Sequence, residues 1–254
     1  MIVFVTGASA GFGAAIARAF VRGGHLVVAT ARRKDRLDAL AAELGDALLP
    51  VELDVRDRAA VEAVAASLPA GFEDVDVLVN NAGLALGVEP AQKASLDEWQ
   101  TMIDTNCTGL VQVTHALLPG MVERNRGHIV NVGSVAGSWP YAGGNVYGAT
   151  KAFVRQFSLN LRADVAGTAL RVTDVEPGLC GGTEFSNVRF HGDDAKAANV
   201  YENMQPLTAD DIADSIYWIA TRPAHVNVNV IELMPVAQSF AALTIHRAKP
   251  SGSI

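Results

Sequence analysis

The stretch MIVFVTGASAGFGAAIARAF, residues 1–20, decides the fold. It consists of an apolar, β-branched run, a turn containing Gly7, Gly11 and Gly13, and an Ala-rich segment typical of a helix. Glycines between a strand and a helix allow a tight turn and bring backbone N–H groups close to a phosphate at the positive end of the helix. The stretch therefore predicts a loop that binds the pyrophosphate of a dinucleotide. The alternative is an ordinary β–α turn, which does not need three glycines.

Short apolar runs and Ala-rich helical segments continue to alternate along the chain. HLVVAT (25–30), VDVLVNN (75–81) and HIVNVGS (128–134) are three such runs, and long helical patterns cover about 96–124 and 145–165. Strands that alternate with helices indicate right-handed crossovers and a parallel sheet covered on both faces. We predict a single-domain, Rossmann-type doubly wound α/β fold over residues 1–254, with about seven strands.

Two segments break this rhythm. Residues 178–207, called here the lid segment, are polar, glycine-containing and long for a loop, which indicates a lid over an active site. Residues 246–254, HRAKPSGSI, are expected to form a flexible tail.

Composition and charge exclude several classes of partner. The net charge is −7, and Lys and Arg are interleaved with acids, which argues against a nucleic-acid partner. No apolar run approaches the roughly 18–20 residues of a membrane span, and a strand at residue 1 predicts no signal peptide. Cys107 and Cys180 are spaced like neither a metal site nor a disulfide framework and are expected to be packing residues. We expect a cytoplasmic protein without a metal site.

The end of the second strand predicts the choice of cofactor. An acid there would bind the ribose 2′-OH of NAD, whereas arginine accommodates the 2′-phosphate of NADP. The sequence VVATARRKDRL (27–37) has Ala31 at that point, followed by Arg32 and Arg33. These two guanidinium groups favour NADP(H). Asp35 is the competing candidate, but it lies one turn later, where an acid is common at a helix start.

Polar residues also follow the third and fourth strands. Asp54 and Val55 occur in LDVRD, and Asn80 and Asn81 occur in LVNNAG. Ligands of such sheets bind beyond the carboxyl ends of the strands, so these residues are candidates for cofactor binding, with Asp54 as a partner of the adenine amino group. The alternative is that both segments only cap helices.

A tyrosine and a lysine share one helix face in NVYGATKAFVRQF (145–157). The four-residue spacing of Tyr147 and Lys151 would let the ammonium charge favour the phenolate, drawing the pKa of Tyr147 towards working pH. Ser134, after the fifth strand, would orient and polarise a carbonyl. Asn106, in mid-helix, would hold a water that connects Lys151 to solvent. Taken singly, each of these residues has a structural reading as helix surface, turn or cap.

Five motifs together carry a family resemblance. TGASAGFG, NNAG, Asn106 in DTNCTG, Ser134 in VNVGSVAG and YGATK resemble, in order, the motif set of the short-chain dehydrogenases/reductases. The resemblance implies catalysis by Asn106, Ser134, Tyr147 and Lys151, a sheet order 3-2-1-4-5-6-7, and a homotetramer packed through the two long helices. It implies cofactor contacts from Gly7, Ser9, Ala10, Gly11, Phe12, Gly13, Arg32, Arg33, Asp54, Val55, Asn81, Ala82, Gly83, Tyr147, Lys151, Pro177, Gly178 and Thr183.

Within that family, GSWPYAGGNVYGATKAFVRQFSLNLR (137–162) and EPGLCGGTEFSNVRF (176–190) resemble the NADP-dependent 3-hydroxy acid dehydrogenases, which act on serine and reduce malonic semialdehyde. We expect substrate contacts from Ser134, Tyr147 and Arg189, with Arg189 pairing with the carboxylate of a short 3-hydroxy acid. The alternative for Arg189 is a surface position beside Asp193 and Asp194. Rival functions are a reductase of sulfoacetaldehyde or of a broader set of carbonyls, and an idle NADP-binding regulator. The family's usual NPG after the sixth strand is EPG here, with Glu176.

Overall fold

The computed structural model describes residues 1–240, so the tail predicted at 246–254 lies outside the described residues. Its centre is one parallel sheet in the order β3-β2-β1-β4-β5-β6-β7. The strands of the described part are β1 (Ile2–Thr6), β2 (Leu26–Ala31), β3 (Leu48–Glu52), β4 (Val77–Asn80), β5 (His128–Val132), β6 (Arg171–Pro177) and β7 (Val230–Leu233). This order confirms the doubly wound prediction, and the reversal between β1 and β4 opens a crevice at the carboxyl edge.

Helices cover both faces of the sheet. They are α1 (Gly11–Arg22), α2 (Lys34–Leu44), α3 (Arg58–Ala66), α4 (Leu96–Ile103), α5 (Leu110–Glu123), α6 (Asn145–Asp164), α7 (Phe185–Arg189), α8 (Asp194–Asn199) and α9 (Ala209–Ala220). Val3 and Val5 of β1 pack with α1, α2 and α9, whereas Phe4 packs with α3, α5 and α6. Both sides of β1 are therefore apolar. Over residues 1–240, no helix has the length and apolarity needed to cross a bilayer.

The long helix predicted over 96–124 is interrupted by a wider turn. Asp104–Gly109 form a π-helical turn between α4 and α5. Asn106 in this turn is buried, and its amide bonds to the backbone of Leu84 and to the hydroxyl of Thr150. Turns of this kind occur mostly as single insertions within α-helices, frequently at functional sites.

The lid segment is closed at its base and contains the short helices α7 and α8. The N–H of Gly181 donates to the carbonyl of Leu207 at 2.8 Å, and the N–H of Leu207 donates to the carbonyl of Leu179 at 3.0 Å. These bonds hold the two ends of the segment together. The length of the segment is therefore accommodated as a small helical unit rather than as an irregular loop.

Candidate active site

A cavity of about 630 Å³ lies at the carboxyl edge of the sheet, between the glycine loop and the lid segment. Its wall contains nearly all of the residues expected at the site. These are Gly7, Ser9, Ala10, Gly11, Phe12, Arg32, Arg33, Asp54, Val55, Asn81, Ala82, Gly83, Ser134, Tyr147, Lys151, Pro177, Gly178, Thr183 and Arg189. The expected residues that the wall does not include are Gly13, Asn80 and Asn106, and Asn80 donates instead to Thr114 and Asn131.

The glycine loop is packed too closely for larger residues. Gly7 has a φ of +68°, a conformation that L side chains rarely adopt. A Cβ atom on Gly13 would collide with the carbonyl oxygen of Gly7 and would lie 2.7 Å from Asn81 Nδ2. The same Asn81 nitrogen donates to the carbonyl of Thr6 at 2.8 Å. Gly13 and Asn81 thus hold the loop in shape, although Gly13 does not reach the cavity.

The amino end of α1 offers backbone N–H groups without competing side chains. Its N-cap residue, Ala10, makes no side-chain capping bond, and the first turn contains no acid. Helix ends of this kind bind phosphate groups through the free N–H groups and the helix dipole. The tight loop and the uncapped helix fit the pyrophosphate of a dinucleotide.

Arginines line the cavity at the end of β2. Arg33 donates to Ser9 Oγ through Nε at 3.2 Å and through Nη2 at 3.1 Å. Arg32 is exposed on the same wall. Asp35, the competing candidate, is not part of the wall. The charge at this end of the cavity is therefore positive, which suits a 2′-phosphate better than a free ribose hydroxyl.

Asp54 and Val55 line the cavity after β3. Arg56 donates to the Asp54 carboxylate through Nε at 3.0 Å and holds the pKa of that carboxyl below its usual value. The carboxylate remains an acceptor, so it can still receive a hydrogen bond from an adenine amino group. Val55 also packs against Gly109, where a Cβ atom would lie 2.6 Å from Val55 Cγ2.

Tyr147 and Lys151 are both buried beside the cavity. The Lys151 ammonium donates to the carbonyl of Val132 at 2.7 Å and lies 5.9 Å from the centroid of the Tyr147 ring. Burial raises the pKa of Tyr147 to about 12, although the Ser134 hydroxyl lowers it. Burial lowers the pKa of Lys151 to about 8, against the attraction of Asp174. The pKa of Tyr147 thus shifts in the direction opposite to the one expected from the Lys151 charge.

Ser134 follows β5 and is fixed by two backbone contacts. Its Oγ accepts from the N–H of Ala136 at 3.1 Å and donates to the carbonyl of Pro177 at 3.4 Å. The second contact is long, so the hydroxyl proton is available to another acceptor in the cavity. Ser134 and Tyr147 together form a pair of O–H donors on one wall.

Asn106 lies in the π-helical turn between α4 and α5, and its side chain is bonded to two neighbouring segments. Its Nδ2 donates to the carbonyl of Leu84 at 2.9 Å and to Thr150 Oγ1 at 3.0 Å, and its Oδ1 accepts from the N–H of Leu84. Both amide hydrogens are therefore used, and the side chain connects the segment after β4 to α6. That Asn106 holds a water joining Lys151 to solvent stays a prediction.

Arg189 of α7 extends from the lid segment towards Tyr141 and Tyr147. Its Nη2 donates to the hydroxyl of Tyr141 at 2.8 Å, and its Nε donates to the carbonyl of Gly87 at 3.2 Å. The guanidinium carbon lies 5.7 Å from the centroid of the Tyr147 ring. Asp193, beside which the alternative places Arg189, caps α8 and pairs with Lys196.

Two acids are buried behind the cavity on β6. Glu176 accepts from Arg155 Nη1 at 2.7 Å, which explains how the charge of this unusual residue is compensated. Asp174 lies against Gly133, where a Cβ atom would collide with its carboxyl group. Burial and the neighbouring charge of Glu176 raise the pKa of Asp174 well above its usual range.

Sequence reasoning did not identify Tyr141 and Glu184, which also line the cavity. Tyr141 lies six residues before Tyr147, and Glu184 follows Thr183 in the lid segment, but neither belongs to a recognisable spacing.

The two cysteines give no sign of a functional role. Burial raises the pKa of Cys107 to about 11 and that of Cys180 to about 12, so both thiols stay protonated.

Comparisons with known proteins point to one family. A family model described as short chain dehydrogenase matches residues 1–193. The chain is 68% identical over 248 residues to an NADP-dependent 3-hydroxy acid dehydrogenase from Salmonella typhi, covering 98% of this chain and all of the relative. It is 54% identical over 245 residues to a serine 3-dehydrogenase from Agrobacterium fabrum, covering 96% of this chain and 98% of the relative.

A solved structure of similar sequence has the same fold. It is described as the closed form of serine dehydrogenase complexed with NADP+ and superposes with a TM-score of 0.97. The two chains are 65% identical, over 98% of this chain and all of the other.

Proposed function

The chain belongs to the short chain dehydrogenase family and is an NADP-dependent oxidoreductase, and we propose that it acts on the 3-hydroxyl or 3-carbonyl group of small 3-hydroxy acids. L-Serine, L-allo-threonine, 3-hydroxypropionate and 3-hydroxyisobutyrate are the substrates of that class. The names of the relatives, a 3-hydroxy acid dehydrogenase and a serine 3-dehydrogenase, support this class. The residues of the cavity support a mechanism for it.

Tyr147 is the group that moves the proton. Its hydroxyl is on the cavity wall, its ring is buried, and its pKa is raised to about 12. A phenol with that pKa keeps its proton at neutral pH and donates it to the alkoxide that develops when a carbonyl is reduced. In the direction of alcohol oxidation, the phenolate form of Tyr147 accepts the proton of the substrate hydroxyl.

Ser134 and Lys151 assist from either side of the phenol. The Ser134 hydroxyl donates to the substrate oxygen and polarises the carbonyl. The Lys151 ammonium, held by the carbonyl of Val132, places a positive charge near the phenolate that remains after proton transfer. Asn106 is a positioning residue, because it holds α6 to the segment after β4 rather than contacting the cavity.

The glycine loop, the amino end of α1 and the arginines after β2 would hold NADP(H). Bound there, the nicotinamide supplies or accepts the hydride. The nicotinamide end of the cofactor would be surrounded by Pro177, Gly178 and Thr183. These residues lie on the cavity wall, and the carbonyl of Pro177 accepts from the Ser134 hydroxyl. Closure by the lid segment would exclude water from the reacting atoms.

The position of Arg189 is the observation that supports a substrate with a carboxylate group. Its guanidinium lies on the wall next to Tyr147 and is anchored through Tyr141 and Gly87. In a 3-hydroxy acid the carboxylate is bonded to the carbon next to the one that carries the reacting hydroxyl. Such a carboxylate would pair with this cation while the hydroxyl contacts Tyr147. Guanidinium–carboxylate pairs are directional and are among the stronger hydrogen-bonded contacts.

Removal of this cation tests the choice of substrate. Arg189→Ala should raise KM for a 3-hydroxy acid about 10- to 100-fold, the effect of one lost charged hydrogen-bonded contact. For an uncharged alcohol of similar size KM should change little. The measurement is the initial rate of NADP reduction, followed through the absorbance of reduced nicotinamide.

Arg222→Ala is the matched control for this experiment, because Arg222 packs over the Trp218 ring at 4.7 Å and is not part of the cavity wall. It should leave both substrates unaffected. Equal losses for the acid and the alcohol in Arg189→Ala would refute the assignment of Arg189 to the carboxylate.

We also propose that the chain forms a homotetramer through its long helices. Apolar side chains point outward from α4, α5 and α6, and Leu96 is 74% exposed and Phe153 41% exposed. Exposed apolar side chains that cluster on neighbouring helices are typical of subunit interfaces.

A further inference from the structure

Glu184 joins the lid segment to the arginines at the end of β2. Its Oε2 accepts from Arg33 Nη1 at 2.8 Å, and its Oε1 lies 3.3 Å from Arg36 Nη1. Arg33 lowers the pKa of Glu184, so the side chain is a carboxylate over the neutral range. Glu184 immediately precedes α7, the helix that carries Arg189. The reaction proposed above does not use this carboxylate.

Arg33 has contacts on both sides of the cavity. Its Nε and Nη2 donate to Ser9 Oγ in the glycine loop, and its Nη1 donates to Glu184 in the lid segment. A single guanidinium therefore connects the loop that binds the cofactor to the segment that covers it. The planar, fixed geometry of guanidinium makes such a double contact directional.

The net positive charge of the arginines around Glu184 is about equal in size to the negative charge of a phosphate group. Arg32, Arg33 and Arg36 contribute three positive charges, and Glu184 contributes one negative charge. The remaining two positive charges match a phosphate monoester, which carries about −1.5 to −2 at neutral pH. The arginines can therefore compensate the charges of the carboxylate and the phosphate together.

We propose that Glu184 is a positioning residue that latches the lid segment over NADP through Arg33. Retention of the cofactor and closure of the lid segment then depend on the same guanidinium. This inference rests on the assignment of Arg33 to the 2′-phosphate in the proposed function. It assigns to Glu184 a role that follows from its contacts and its place before α7.

The chain contains a matched ion pair for comparison. Arg18 and Glu43 form a bidentate pair at 2.7 Å, with side chains exposed to a similar degree. Neither residue lies on the wall of the cofactor cavity. Exposed pairs of this kind contribute little to stability. A difference between the two pairs in cofactor release therefore reports the latch rather than a general loss of charge.

The test measures the dissociation rate of NADPH by stopped-flow fluorescence. Glu184→Gln should raise this rate about fivefold, the effect expected for one well-formed ion pair at the surface. Arg36→Gln should raise it by a smaller factor, because Arg36 contacts Glu184 but is not on the cavity wall. Glu43→Gln should release NADPH at the wild-type rate.

A second readout needs no cofactor. Trypsin can cleave the lid segment after Arg189 and Lys196, and Glu184→Gln should be cleaved several-fold faster there than the wild type or Glu43→Gln. Thermal unfolding of the three proteins establishes that each is folded. Wild-type rates of NADPH release in Glu184→Gln would overturn the proposal. Tighter NADPH binding by that variant would also overturn it, because it would mean that the carboxylate competes with the phosphate.

Failure of the latch and failure of the cofactor assignment give different results. If the wild type binds NADPH and NADH with equal affinity, the assignment of Arg33 to the 2′-phosphate is wrong, and the latch fails with it. If the wild type prefers NADPH and Glu184→Gln releases it at the wild-type rate, only the latch is wrong.

Discussion

At the scale of single residues, the pKa values of Tyr147 and Lys151 differ from the simple expectation. Burial raises the pKa of Tyr147 to about 12 and lowers the pKa of Lys151 to about 8. Both shifts have the same cause, because a buried site disfavours the charged form of either group. The lysine is thus the group of this pair that changes its charge closest to neutral pH.

The pH dependence of carbonyl reduction should follow Lys151. Below its folded pKa of about 8 the side chain is an ammonium group, and above that value it loses its charge. Tyr147 stays protonated across the same range. The rate of malonic semialdehyde reduction at saturating NADPH should therefore be constant below about pH 8 and fall above it.

Initial rates from about pH 6 to about pH 10 test this expectation. Lys151→Met should lower the rate and abolish the fall near pH 8. Reduction that becomes faster with pH across this range would contradict the role given to Lys151.

Residues with a conventional spacing could be predicted from the sequence, and residues defined by tertiary contact could not. Gly7, Tyr147 and Lys151 occur at fixed distances within one loop or one helix, so the sequence displays their geometry directly. Tyr141 is connected to Arg189 across 48 residues, and Glu184 is connected to Arg33 across 151 residues. Nothing in the local sequence specifies such contacts.

At the scale of secondary structure, the strands and most helices could be predicted because their apolar patterns are strong. The π-helical turn at Asp104–Gly109 could not, because a widened turn leaves no periodic signal of its own. The short helices of the lid segment were also missed. Their sequences are polar, and α7 and α8 have only five and six residues.

The outward face of α6 gives a prediction about assembly. Phe153 is 41% exposed and stacks on Phe157 with ring centroids 5.9 Å apart. Burial of one phenylalanine contributes roughly 1.5–3 kcal/mol, and an interface with two-fold symmetry contains it twice. Phe153→Glu should therefore dissociate the tetramer into smaller species.

Sedimentation velocity measures this effect directly. Trp218→Glu on α9 is the matched control, because Trp218 is exposed to a similar degree on the opposite face of the sheet and should not affect assembly. A wild-type protein that sediments as a monomer would refute the proposed homotetramer.

At the scale of the whole molecule, the fold brings distant segments to one edge of the sheet. The cavity wall includes residues from Gly7 to Tyr201. A parallel sheet places the carboxyl ends of all its strands on that edge, so the loops after β1, β2, β3, β4, β5 and β6 meet there. The fold class predicted the location of the cavity, and the lid segment adds Glu184 and Arg189 to its wall.

Buried polar groups support the edge from behind. Asn131 donates to Ser158 at 2.8 Å and accepts from Asn80 at 2.9 Å, which connects β4, β5 and α6. Glu176 and Arg155 extend the same layer to β6. The sequence shows Asn80, Asn131 and Glu176 only as isolated polar positions in apolar strands, because their partners lie on other elements. Their contacts hold α6, and therefore Tyr147, at a fixed position relative to the sheet.

The most direct test of the account is the oxidation of L-serine with NADP by the wild type and by Tyr147→Phe. The wild type should reduce NADP with L-serine faster than it reduces NAD. Tyr147→Phe should be slower by about 10²- to 10⁴-fold, the usual contribution of a positioned proton donor or acceptor, with NADPH affinity retained. Absence of turnover by the wild type with L-serine, 3-hydroxypropionate or 3-hydroxyisobutyrate, or wild-type turnover by Tyr147→Phe, would contradict it.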